Sequence, residues 1–262
     1  MQENIQGTEE SGPSGVYKNG KNDRTREIFV SRILGGLTMC FLALCFIAPA
    51  FLPENSIPEL SGRANAIDYA FENSWGNKNH GENSAIGHNR SLHGGSFAWS
   101  ELSPIWALVY AIGDLNCHQK HQRSWEVNGN QMPVCVRDIG IFAGFLVGCT
   151  IFLRRGLNRW TIRDTFLSVF PDSLLSSIYE RDLRLVAVFS ILFIGLTPMA
   201  LDGFTQLLLS SYESTNPLRL FTGFGAGFVA GLWFCSAFSA RSGSFSSPEM
   251  VGLPAGAKLS IK

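Results

Sequence analysis

Four apolar blocks dominate this sequence: residues 33–52, 139–153, 185 to about 209, and 218–238. A bilayer core is crossed by about 20 apolar residues in a helix, which satisfies its own backbone hydrogen bonds within lipid. Allowing for ragged ends, and for a start near Val134 in the second block, each is long enough. Charge is correspondingly sparse, 16% of the chain against about 25% in soluble domains. The expected class is an all-α integral membrane protein with four transmembrane helices. A fifth segment, 97–116, is interrupted by Glu101, Pro104 and Asp114. That leaves about ten consecutive apolar residues, too few to cross, so it reads as an interfacial or re-entrant helix. The first block starts late and runs long for a signal-peptide core, and it reads as a span rather than a cleaved leader.

The polar tracts divide the chain further. Residues 1–32 and 241–262 read as disordered tails, 53–96 as a loop rich in Asn, Gly and Ser, and 97–240 as the main membrane domain. Residues 154–179 carry Trp160, Phe166, Phe170 and Leu174 among charges, as either a surface-lying amphipathic helix or a plain connecting helix would. With 97–116 not crossing, 14 of the 21 Lys and Arg fall on the side of 1–32, 154–184 and 241–262. Positive charge marks the cytoplasmic flank. The expectation is a multi-pass cell-membrane protein with both termini cytoplasmic and the 53–96 loop outside. A net charge of zero shows no footprint for nucleic acid. His80, His88 and His93 fit a solvated loop better than a metal-uptake tract. Asn89-Arg90-Ser91 is a glycosylation sequon, relevant only in a eukaryotic secretory host.

Two stretches nearly copy each other. Residues 140–148 read GIFAGFLVG and 223–231 read GFGAGFVAG, each with a glycine every fourth residue. This spacing lays a side-chain-free strip along one helix face, and two such strips let backbones approach closely. The charge-derived topology runs both helices in the same direction.

Each strip follows a polar cluster: Cys117-His118-Gln119, Arg123, Cys135 and Arg137-Asp138 before the first, and Asp202-Gly203, Gln206, Ser214-Thr215-Asn216 and Arg219 before the second. In the expected topology both clusters reach the outer boundary, which predicts one shared site. The ordered motifs resemble the bacterial and archaeal predicted membrane proteins grouped as domain of unknown function 2085. The first runs through Cys117-His118-Gln119, Arg123-Ser124, Gly129, Pro133-Val134-Cys135, Arg137 and Gly140-Ile141. The second runs through residues 198–203, Gln206, Ser214-Thr215-Asn216, Leu218-Arg219 and Thr222-Gly223. The resemblance covers about 110–238 and implies a multi-pass membrane fold without an assigned activity. His121-Gln122 departs from the family's frequent Pro-Glu pair, so His121 inherits no role.

The residues leave several chemistries open. Cys117 and Cys135 on an oxidising face suit a disulfide. With His118 and Asp202 they would instead make four ligands suited to zinc, and a reactive thiol pair is the third reading. Cys40, Cys45, Cys149 and Cys235 lie in apolar spans as packing residues. Pro198, Asp202 and Gln206 share a helix face, with Asp202 lining a functional interior or bridging to Arg137 or Arg219. Asn216-Pro217 marks a helix start, whose free N–H groups, with Arg137 and Arg219, would cradle an anion such as a lipid phosphate or a small carboxylate. Three function classes follow. One is a metal- or thiol-dependent membrane enzyme using Cys117, His118, Cys135 and Asp202. Another is an anion- or lipid-binding protein using Arg137, Gln206, Asn216 and Arg219. The third is a structural or assembly protein, stabilised by a disulfide and ion pairs.

Overall fold

The structure, a computed structural model, describes residues 23–80, 95–209 and 211–259. Among these are seven α-helices and one two-stranded hairpin. The helices are α1 (Thr25–Phe51), α2 (Pro104–Asn116), α3 (Val136–Arg155), α4 (Ile162–Leu167), α5 (Asp172–Glu180), α6 (Arg184–Leu208) and α7 (Asn216–Ser239). The hairpin pairs β1 (Glu126–Val127) with β2 (Asn130–Gln131) through Asn128-Gly129, both in the left-handed region that a two-residue turn of this kind requires. The protein is an all-α membrane protein: α1, α3, α6 and α7 are long and apolar enough to span. At 13 residues α2 is about 20 Å long, short of the roughly 30 Å hydrocarbon core. Its Val109, Tyr110, Gly113 and Asp114 are buried in protein.

Glycine contacts establish the helix directions. A Cβ at Gly140 would meet the Leu220 carbonyl, one at Gly144 the Phe224 carbonyl, and one at Gly148 the Phe228 carbonyl oxygen at 2.5 Å. From the other side Gly223 lies against Arg137, Gly227 against Ile141 and Gly231 against Phe145, all through backbone. The two numberings rise together, so α3 and α7 run parallel and in register. In contrast Gly35, early in α1, approaches Cys149, late in α3, while Gly195 and Val229 meet near the middles of α6 and α7 and Gln206, at the end of α6, reaches Arg219, at the start of α7, so both flanking helices run antiparallel to this pair. One end of the bundle, here the proximal end, gathers the start of α1, the 156–183 segment and the tract after α7. The distal end carries, among the described residues, 52–80, 95–135, 209 and 211–215.

Each end has its own core. Proximally Phe152, Phe166, Leu167, Leu175, Tyr179, Leu232, Phe245, Val251 and Leu253 pack together, while distally Ala48, Ile57, Leu60, Tyr69, Phe97, Tyr110, Met132 and Ile139 do so. Outward, α6 shows Phe189, Phe193, Ile194, Leu201, Phe204 and Leu208. Such a stripe would be anomalous in water and is what hydrocarbon accepts.

Three segments are more ordered than the polar composition suggests. The tail read over 1–32 gives way to helix at Thr25. Just before it, Arg24 donates to the carbonyls of Phe152, Leu153, Arg154 and Gly156 at 2.8–3.3 Å, satisfying the orphan C-terminal groups of α3. Arg26 does the same for α7 through Phe238 O at 2.9 Å. The tract after residue 240, also read as a tail, is folded through 259: Phe245, Val251 and Leu253 are buried and Arg184 Nη1 donates to Lys258 O. Residues 154–179 form two short helices broken at Pro171, not one surface helix. Asp164, fully buried, accepts from Tyr179 Oη and Thr161 Oγ1 and pairs with Arg163 and Arg184.

The polar loop after α1 is likewise built into the distal end. Asp114 Oδ2 accepts from the backbone N–H groups of Asp68 and Tyr69 and from Trp99 Nε1 at 2.9–3.0 Å. Asn130 and Gln131 accept from the backbone of Ile57 and Leu60. His80 packs tilted against Trp75 at 4.0 Å between ring centres. His88, His93 and the Asn89 sequon lie outside the described residues.

Candidate functional site

The distal polar site is assembled from the 117–138 segment and the facing ends of α6 and α7. Cys117 follows the last residue of α2, where its sulfur accepts two backbone N–H bonds, from Gln119 at 3.4 Å and from Cys135 at 3.3 Å. Gln119 has φ +45°, a left-handed conformation costly for a side-chain-bearing residue. It is 1% exposed, donates through Nε2 to Pro133 O at 2.9 Å, and accepts from Gln131 Nε2 at its carbonyl. Gly113 makes this approach feasible, because a Cβ there would collide with the same Pro133 carbonyl.

Cys135 is the N-cap of α3, and its Sγ donates to Asp138 Oδ2 at 3.2 Å. Cys117, Cys135 and Asp138 thus bring three potential metal-ligand atoms within 4.8 Å of one another. Both cysteines are free thiols. The Cys135 sulfur beside it, burial, and the nearby Asp138 together push the Cys117 thiol well above its ordinary range. The ligand set read from the sequence changes in two members: Asp138 stands with the thiols, and His118 and Asp202 do not. His118 is exposed, and partial desolvation with the neighbouring Lys120 and Arg123 lowers its pKa.

Asp202, its side chain 3% exposed, is ion-paired to Arg137 Nη2 and accepts from Tyr212 Oη at 2.9 Å. The two sequence-distant clusters therefore meet, joined through Arg137 beside Asp138. Arg219, 2% exposed, and Arg123 both bond Glu213 Oε1, at 3.2 and 3.0 Å. With its amide turned to suit its neighbours, Gln206 accepts from Ser214 N–H and from Arg219 Nη2, each at 2.7 Å. Asn216 is the first residue of α7, with Thr215 rather than Asn216 at the cap; its Oδ1 lies 3.5 Å from Arg219 Nη1. The one-residue offset is within the usual blur of helix ends.

Cations outnumber carboxylates here. Lys120, Arg123, Arg137 and Arg219 face Asp138, Asp202 and Glu213. Desolvation and then the charge of Arg123 depress the Lys120 ammonium. Burial pulls the Glu213 carboxyl upward, but Arg123 and Arg219 outweigh it and hold it below its ordinary value. Asp138, Lys120, Tyr212 and Glu213 are site members that sequence reasoning did not assign. Asp138 carried a legible signal, since it lies three residues after Cys135, the N-cap to N3 spacing of a capping box. Apart from this site, Glu59, His121 and Glu126 also bring their ligand atoms within 4.8 Å of one another, with His121 Nδ1 3.2 Å from Glu59 Oε2.

A family model described as a predicted membrane protein (DUF2085) matches residues 117–233. An uncharacterized protein of Methanocaldococcus jannaschii is 36% identical over 133 residues, 49% of this chain and 70% of its own length. An uncharacterized protein of Methanothermobacter thermautotrophicus is 32% identical over 111 residues, 42% of this chain and 77% of its own. No solved structure matches the chain.

Proposed function

This chain belongs to the predicted membrane protein family DUF2085, and from that premise we propose that its distal polar site faces the cell exterior and holds an anionic lipid head group. The observation that carries the reading is the charge balance: the four cations Lys120, Arg123, Arg137 and Arg219 gather at a bundle end around three carboxylates, Asp138, Asp202 and Glu213, with Arg123 and Arg219 sharing the single carboxylate of Glu213. Cations held close together repel, and a phosphate between them relieves that repulsion while accepting several donors. Arg123, at 24% side-chain exposure, and the half-buried Lys120 provide the accessible rim, with Arg219 behind them. The lipid-facing stripe of α6 leads along the bundle to Asp202, so acyl chains have an apolar surface to follow.

Lipid retention tests this directly. In nanodiscs of mixed composition, native mass spectrometry is expected to show phosphatidylglycerol retained over phosphatidylcholine. The pair Lys120→Gln and Arg123→Gln is expected to lower that preference tenfold or more, since each surface cation contributes about 1 kcal/mol toward an anionic lipid. Equal retention of both lipids, or a preference the double variant leaves intact, contradicts the reading. Competition by inorganic phosphate without any lipid preference would point to a small solute instead.

The orientation rests on the 14 of 21 Lys and Arg assigned to the proximal flanks. In a background lacking native cysteines, an impermeant maleimide applied to intact cells is expected to label Asn73→Cys and not Ser173→Cys, both exposed positions. The reverse pattern would invert the molecule and place the polar site inside.

A further inference from the structure

We infer that Cys117, Cys135 and Asp138 form a metal centre of zinc type, with three protein ligands and a fourth position for a non-protein ligand. The inference stands apart from the anion reading, because it uses none of the four cationic side chains.

The donor set fits. Two thiols and a carboxylate lie within 4.8 Å of one another, and Cys135 Sγ is 3.2 Å from Asp138 Oδ2. With Zn–S near 2.3 Å and Zn–O near 2.0 Å, the edges of a tetrahedral site are about 3.5–3.8 Å, so small side-chain shifts complete the geometry. Three ligands and one open position is the pattern of zinc sites that bind a further molecule.

The surroundings of Cys117 point the same way. Two backbone N–H groups converge on its sulfur, and hydrogen bonds to an ionised group favour that ionised form. The Gln119 N–H is aimed by a left-handed backbone that a buried Gln119–Pro133 and Gln131–Gln119 network holds in place. Cys135 sits at the N-terminus of α3, where its own backbone N–H is one of the two that reach the Cys117 sulfur. On binding a divalent cation, each thiol releases its proton and the sulfur becomes a ligand. A disulfide is the competing use of the two sulfurs, and it leaves Asp138 without a task.

The test uses the full chain, purified in detergent and reduced, then loaded with zinc or cobalt(II) and freed of excess metal. Elemental analysis is expected to find about one metal per chain, and the cobalt form is expected to show sulfur-to-cobalt charge-transfer absorption. Cys117→Ser and Cys135→Ser are each expected to abolish that absorption, and Asp138→Asn to weaken metal binding at least tenfold while leaving both thiols in place. Should the serine variants fail to fold, the cobalt spectrum of the parent protein and the Asp138→Asn affinity decide alone. The inference is overturned if reduced protein gives no charge-transfer band. Metal retained by the cysteine variants but lost in Glu59→Gln or His121→Ala would equally overturn it, by moving the metal to the other His/Glu group.

Discussion

Replacing Gly144 or Gly227 with leucine is expected to abolish the folded protein in detergent, and alanine at either position to lower its thermal midpoint sharply. A Cβ at Gly144 falls on the carbonyl oxygen and backbone of Phe224, and one at Gly227 on the backbone of Ile141. Neither obstacle is a flexible side chain that can turn aside, so α3 and α7 must separate along their whole shared face. Ordinary overpacking costs about 1–3 kcal/mol, and a clash between two backbones exceeds that range. Because lipid is as apolar as the helix surfaces, the pair is held by close packing rather than by apolar burial. Gly36 provides the control: nothing lies within 4 Å of a Cβ there, and Gly36→Leu is expected to leave the midpoint unchanged. Equal tolerance at Gly144, Gly227 and Gly36 would show that the paired strips do not meet.

The strips were legible because a glycine every fourth residue has one geometric use in a spanning helix. The spans were legible because lipid demands continuous apolar runs. What escaped the sequence was polar and buried. Asp114 read only as an interruption of a short apolar helix and Asn130 and Gln131 carried no assignment, yet each binds backbone groups of a segment 45 or more residues away, and no local pattern announces such a partner. Arg24 and Arg26 looked like tail charges because the carbonyls they cap belong to helices that end more than 100 residues later.

The candidate site divides in the same way. Arg137, Asp202, Gln206 and Arg219 were visible as polar residues interrupting apolar spans, and their convergence followed from helix direction. Asp138 was passed over for His118, chosen for its imidazole although adjacent Cys-His is an awkward spacing for joint chelation. The backbone at Gln119 turns back so that its own N–H, rather than the His118 ring, reaches the sulfur. Tyr212 and Glu213 sit in the short α6–α7 connection, where composition alone does not separate a site residue from a solvated one.

The central claim is that segments 117–138 and 202–219 make one site, and the Arg137–Asp202 ion pair is the bond that joins them. Asp202 is nearly inaccessible and also holds Tyr212 Oη, so Asp202→Asn leaves Arg137 beside an uncharged partner. Removing one member of a buried pair costs about 3–5 kcal/mol. Arg137 retains 21% side-chain exposure, which places the expected loss near the lower end of that range. The most direct measurement is a double-mutant cycle on stability in detergent, with Arg137→Gln, Asp202→Asn and the two combined. The single variants are expected to be strongly destabilised and the double no worse than either, for a coupling of about 3 kcal/mol. Additive effects, agreeing within about 0.5 kcal/mol, would mean that the two residues do not touch and that the shared site does not exist.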